Sequence, residues 1–168
     1  MTFNKILVPL DGSTLAEAAL WKAVELAGGG TLSLVRAAEA HTLPGADPID
    51  AQVSAVKEAE EYLASVARRL ADRGLKKVET HVWYGPAAAA IIEAAQVNNV
   101  DMIVMSTHGR SGLGRLILGS VAESVLRGTR TPILVVRADS APVEPRRGAA
   151  QAKETAQVVA RAAWEAVR

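Results

Sequence analysis

Short apolar runs alternate with segments of helical period along most of this chain, and that alternation constrains its fold more than any other feature. Ile6-Leu7-Val8, Leu32-Ser33-Leu34-Val35, Met102 to Met105 and Ile133 to Val136 have strand length and are almost wholly apolar. That is the pattern of strands buried on both faces of a parallel sheet. Val78 to Tyr84 instead alternates Val78, Thr80, Val82 and Tyr84 with Glu79, His81 and Trp83, which places it nearer a sheet edge. Helical segments separate these strands. Leu15 to Ala27 repeats Leu20, Val24 and Ala27 on one face, Ser13 or Thr14 can cap it, and Gly28-Gly29-Gly30 stops it. Ile49 to Asp72 sets Val53, Val56, Ala59, Tyr62-Leu63, Val66 and Leu70 on one face and charges on the other. Ala87 to Val97 and Gly119 or Ser120 to Arg127 are shorter helices.

An unbroken β-α alternation of five strands calls for a parallel sheet with helices on both faces. Right-handed crossovers then favour the doubly wound strand order 3-2-1-4-5. In that order the first and fourth strands flank the switch point, and a ligand belongs beyond their carboxyl ends. Those ends are Pro9-Leu10-Asp11 and Ser106-Thr107-His108-Gly109.

The length of 168 residues suits one domain with a sizeable core. Aromatics are only 4% of the residues, so that core is aliphatic. With 19 basic and 18 acidic residues the net charge is +1, so charge provides no general attraction to nucleic acid or to an anionic membrane. There is no cysteine, which removes disulfides and thiolate chemistry, and the three histidines lack metal-ligand spacing. No leader pattern and no apolar run of about 18 residues is evident, so a cytoplasmic location is expected. Residues 1–137 are expected to form the α/β domain. Residues 138–168 follow as a linker, with Pro142 and Pro145, and a C-terminal extension helix. That amphipathic segment runs from Ala149 and carries Val158, Val159, Ala162, Ala163, Trp164 and Val167.

The fourth strand runs into a loop with Gly109, Gly112 and Gly114, which closes on Gly119-Ser120 at a helix start. Strand, glycine loop and helix N-terminus together suit an anion, because free N–H groups and the helix dipole point the same way. The loop is not a Walker A sequence, since no lysine follows its glycines. It is not the dinucleotide fingerprint either, since Ile117 takes the third glycine's place. A plain βα connection is the alternative, but those usually run about 2–6 residues. Gly109 and Gly119 would let backbone approach phosphate oxygens, with the N–H groups of Ser120 and Val121 opening the helix. Arg110 and Arg115 can offset phosphate charge from the rim, or stand as solvated loop charges. Asp11 reads either as a ligand contact or as an Asx turn leading into the first helix. His108 is a weak general-base candidate, and Glu123 supports its helix dipole better than it would hold a metal.

The opening Lys-Ile-Leu-Val-Pro-Leu-Asp-Gly-Ser resembles the universal stress protein family. So do the block from Ser106 through Leu126 and the closing Thr-Pro-Ile-Leu-Val-Val-Arg. The resemblance implies five parallel strands and a homodimer paired through the fifth strand, Ile133–Val136. In the family's nucleotide-binding branch it implies an ATP site, marked by Gly-x-x-Gly, nine residues, then Gly-Ser or Gly-Thr. Here the second glycine is Gly109, the third is Gly119 and the hydroxyl residue is Ser120, while the first glycine falls on Ser106. The adenine contact from the second strand falls on Ala37, smaller than the usual branched residue. Asp11 and its neighbour Pro9 match the base side.

The expected cofactor is thus ATP, with any Mg²⁺ held by phosphates and water. The expected role is a dimeric stress-response sensor or regulator that acts on a further protein partner. A same-fold interaction module that has lost nucleotide is the alternative, and an enzyme acting on an adenylated intermediate a lesser one. No base, arginine finger or Walker-type metal site is evident, so hydrolysis would be slow at most.

Overall fold

The computed structural model describes residues 3–40, 47–108 and 119–138. The strands are β1 (Lys5–Pro9), β2 (Thr31–Ala38), β3 (Val78–Tyr84), β4 (Met102–His108) and β5 (Ile133–Ala138). The helices are α1 (Thr14–Ala27), α2 (Pro48–Ala71), α3 (Ala87–Val97) and α4 (Ser120–Gly128). All strand pairs are parallel and the order is β3-β2-β1-β4-β5, so the doubly wound expectation holds. Strand β4 runs past Met105 because β5 continues beside it, with Ser106, Thr107 and His108 opposite Val136, Arg137 and Ala138.

Strand periodicity divides the core. Ile6, Val8 and Leu10 of the first strand and its extension point with Leu32 and Leu34 to the side covered by α1 and α2. Leu7, Val35, Ile103 and Met105 point to the side covered by α3 and α4. Both layers are aliphatic, and Trp21 is the one buried aromatic among the described residues.

Local chemistry sets the helix ends. Ser13 caps α1, its Oγ accepting from the Ala16 N–H at 3.1 Å, and Gly28 closes the helix in the left-handed region with φ 52°. Two residues on, the chain passes so close to the start of β1 that a Cβ on Gly30 would lie 2.5 Å from the Phe3 carbonyl oxygen. The Asp101 carboxylate ties the amino ends of β1 and β4 together by accepting from the Asn4 and Lys5 N–H groups at 2.7 and 2.9 Å.

Helix α2 departs from its sequence pattern. Its buried residues, Ala59, Leu63, Val66 and Leu70, run from its middle toward its C-terminal end. Val53 lies about 110° around the helix from the centre of that buried face, and it is exposed. The helix is also longer than the strands it covers: 24 residues span about 36 Å, whereas the 8 residues of β2 span about 26 Å. Along the buried face the N-terminal half of α2 is only partly covered, at Ala51, Ala55 and Val56.

Candidate functional site

The carboxyl ends of β1 and β4 part at the switch point, and the N-termini of α1, α3 and α4 surround the gap. After β1 the chain stays tied to β2 through the Leu10 N–H, which donates to the Val35 carbonyl at 2.8 Å. It then turns on Asp11, whose Oδ1 accepts from the Ser13 N–H at 2.8 Å. The Asx turn foreseen for Asp11 is thus formed, and the residue still faces the gap. The turn uses one carboxylate oxygen, and the other has no hydrogen bond among the described residues.

Helix α4 opens differently from α1. Its N-cap is Gly119, in extended backbone at φ −61° and ψ 153°, and no side chain caps it among the described residues. Glu123 sits in the first turn, but its carboxylate is paired with Arg127 at 2.7 Å. Among the described residues, the leading N–H groups of α4 therefore have no side-chain acceptor, which suits them to an anion. Helix α3 also starts without a side-chain cap and with no acid in its first turn.

These elements enclose a cavity of about 320 Å³. Pro9, Asp11, Ala37, Ser106, Gly119, Ser120 and Val121 all line it. Seven positions chosen from four separate stretches of sequence thus border one space. Gly109 and Arg110, with Gly112, Gly114 and Arg115, lie outside the described residues, as does the side chain of His108. The cavity floor is apolar: Leu10, Val35, Met105, Ala87 and Ile91.

Arg36 and Glu39 also line the cavity, and the sequence reading passed over both. Arg36 follows Leu32 and Leu34 at strand spacing, so its side chain leaves the sheet on the α2 side. There its guanidinium pairs with Glu58 at 2.7 Å and lies 5.0 Å from the centre of the Tyr62 ring. A cation in register with two core leucines at a strand's carboxyl end was the available signal. Tyr62 in turn donates to Glu17 at 3.1 Å, and Arg69 pairs with the same carboxylate oxygen at 2.7 Å. Burial, reinforced by the Glu17 carboxylate, pushes the Tyr62 hydroxyl far above its ordinary range. It therefore stays a donor at any physiological pH. No cluster of three His, Cys, Asp or Glu side chains is placed to hold a metal among the described residues.

A doubly wound α/β domain with a mixed apolar and polar cavity at its switch point belongs to the class of folds that bind ligands at that crevice. The model of the universal stress protein family matches residues 2–137. A relative from Staphylococcus aureus strain USA300, described as a universal stress protein, is 32% identical over 149 residues, which cover 86% of this chain and 90% of the relative. The chain belongs to the universal stress protein family. A family member of known structure from Burkholderia pseudomallei is 31% identical, with a TM-score of 0.65 over 79% of this chain and 95% of its own. Two more distant structures share the fold and hold nucleotides. A universal stress protein in complex with cAMP superposes with a TM-score of 0.62, at 21% identity over 81% of this chain and 98% of its own. An Arabidopsis thaliana family protein with AMP bound superposes with a TM-score of 0.58, at 16% identity over 86% and 99%.

Proposed function

We propose that this chain binds an adenine nucleotide in the switch-point cavity and acts as a dimeric, nucleotide-responsive regulator in a stress response. One observation carries the reading: an apolar floor, the Asp11 carboxylate and the uncapped N-terminus of α4 face one space of about 320 Å³. An apolar floor suits a flat base, and a carboxylate beside it suits an exocyclic amine. Leading helix N–H groups suit a phosphate. The cAMP and AMP held by the two distant family structures support the same ligand class.

In this reading the base lies toward Asp11 and Ala37, with Pro9 beside them, and the phosphates lie toward Gly119, Ser120 and Val121. Ser120, exposed at the cavity, donates its hydroxyl to a phosphate in this reading. Gly109 and Arg110 complete the phosphate side. ATP is the nucleotide proposed, with any Mg²⁺ held through phosphates and water. The domain ends at residue 137, with residues 138–168 an appended linker and helix. Dimerisation runs through β5, where Val135 is exposed on an edge strand. The output is a change in the loop or the dimer surface, read by a protein partner in the cytoplasm. No helix among the described residues is long and apolar enough to cross a membrane.

The second reading is an interaction module of the same fold without nucleotide. Ser106 and Ala37 favour it, because both line the cavity and differ from the nucleotide-binding pattern. Extraction of freshly purified protein separates the two. The nucleotide reading predicts excess absorbance at 260 nm and an adenine nucleotide in the mass spectrum. Protein that neither carries nor takes up any adenine nucleotide contradicts it.

A further inference from the structure

We infer that Arg36 is a positioning residue for base recognition, on the reading that an adenine nucleotide fills the cavity: its guanidinium backs the Asp11–Ser13 turn and keeps the second carboxylate oxygen of Asp11 aimed at the exocyclic amine. The Leu10 N–H donates to the Val35 carbonyl at 2.8 Å, which sets Asp11 and Gly12 beside Arg36. Gly12 lies inside the Asx turn, with φ 88° and no side chain. The Arg36 guanidinium faces its open side. Nη1, Cζ and Nη2 lie 3.7, 3.9 and 3.9 Å from where a Cβ on Gly12 would stand. Distances so nearly equal mean that the group presents its flat face to the turn.

Stability alone does not account for a cation at this position. Residue 36 continues the inward stripe of Leu32 and Leu34, and its side chain is only 18% exposed. Glu58, its ion-pair partner at 2.7 Å, is 73% exposed. A pair so open to water contributes little, burial of the guanidinium opposes it, and an apolar side chain of similar size would pack there as well.

The guanidinium is instead fixed from several sides. Glu58 holds Nη2, and the Tyr62 ring centre lies 5.0 Å from Cζ. Tyr62 is fixed in turn by its hydroxyl, which donates to Glu17 in the first turn of α1 at 3.1 Å. A group held this way forms a firm wall behind the turn, and such support keeps a binding group in its productive geometry. Asp11 gives one oxygen to the Ser13 N–H, so the orientation of the turn sets where the other points. A single charge-assisted hydrogen bond weakens steeply when its aim is lost. Arg36 therefore acts on the base through Asp11, from the cavity wall that both residues share.

Calorimetry on the full-length, nucleotide-free protein compares ATP with purine riboside triphosphate, which lacks only the 6-amino group. Wild type should prefer ATP by about tenfold or more, the usual effect of a hydrogen bond to a charged group. Arg36→Met keeps the length of the side chain without the flat cation. It should shrink that preference toward one by weakening ATP alone, with the melting temperature unchanged. Glu58→Gln, at an exposed position, loosens the same guanidinium and should shrink the preference in part. In an Asp11→Asn background the preference is already lost, and adding Arg36→Met should change neither affinity further. A preference that survives Arg36→Met, an equal loss for both nucleotides, or no preference in wild type would each overturn the inference while ATP binding stands. A wild type that binds neither nucleotide would overturn the nucleotide reading and this inference together.

Discussion

Ser106 places a hydroxymethyl group where the nucleotide-binding pattern has glycine, on the last stretch of β4 and in the cavity wall. Two effects oppose each other there. A side chain at that position stiffens the strand, whereas its absence opens the cavity to a ribose or phosphate. Ser106→Gly is therefore expected to tighten nucleotide binding in calorimetry while lowering stability by about 0.5–1 kcal/mol, the usual cost of glycine within a regular element. Unchanged affinity would mean that the Ser106 side chain does not border the bound nucleotide. Asp11 shows how far one residue can be read from sequence alone. Its two readings are an Asx turn and a ligand contact; the turn is formed by one carboxylate oxygen, and the residue also lines the cavity where the ligand contact is proposed. Arg36 escaped notice because its meaning depends on Glu58 and Tyr62, more than twenty residues away.

Elements were legible wherever the pattern was local. The capped start of α1, its glycine stop and the bounds of α3 follow from residues within a few positions. An end set by a neighbour was not legible: β4 reaches His108 because β5 runs beside it. Gly30 is a second case of tertiary constraint. It looks like one of three turn glycines, but a Cβ there would lie 2.5 and 2.8 Å from the Phe3 and Asn4 carbonyl oxygens. Both neighbours are backbone, so they yield little. Gly30→Ala should cost about 2 kcal/mol or more in denaturant unfolding, and a neutral effect would show that the β1–β2 junction relaxes freely. Between β1 and β3, the Lys5 ammonium beside Glu79, at 2.7 Å, holds that carboxyl below its ordinary value of 4.5. The pair's contribution is therefore present above about pH 4.5 and is lost as pH falls through the lower folded value. The melting-temperature gap between wild type and Glu79→Gln should stay constant from about pH 7 to 5 and close below about 4.5. Because Glu79 is half exposed, the gap should be small and should shrink in salt.

At the scale of the molecule, strand order and the position of the crevice followed from the alternation of periods and the handedness of crossovers. The composition of the cavity floor did not, because Val35, Ile91 and Met105 meet only after three crossovers. The two sheet edges differ. Strand β3 carries Glu79, Thr80 and His81 along one edge, a polar pattern that discourages pairing. Strand β5 is nearly all apolar, with Val135 exposed, and this is the edge proposed to pair with a second copy. Sedimentation at micromolar concentration should give a dimer that Val135→Lys converts toward monomer, whereas a wild-type monomer would refute that pairing. The central claim is that the cavity between Asp11 and the N-terminus of α4 holds an adenine nucleotide. Gly119 has an ordinary backbone conformation that any residue can adopt, so Gly119→Val should leave the fold intact and fill only the approach to the helix N–H groups. Calorimetric titration of ATP into both proteins tests the claim most directly. The account predicts saturable one-site binding to wild type and at least about tenfold weaker binding to an equally stable Gly119→Val. Equal affinity in the two proteins, or no binding to nucleotide-free wild type, would contradict it.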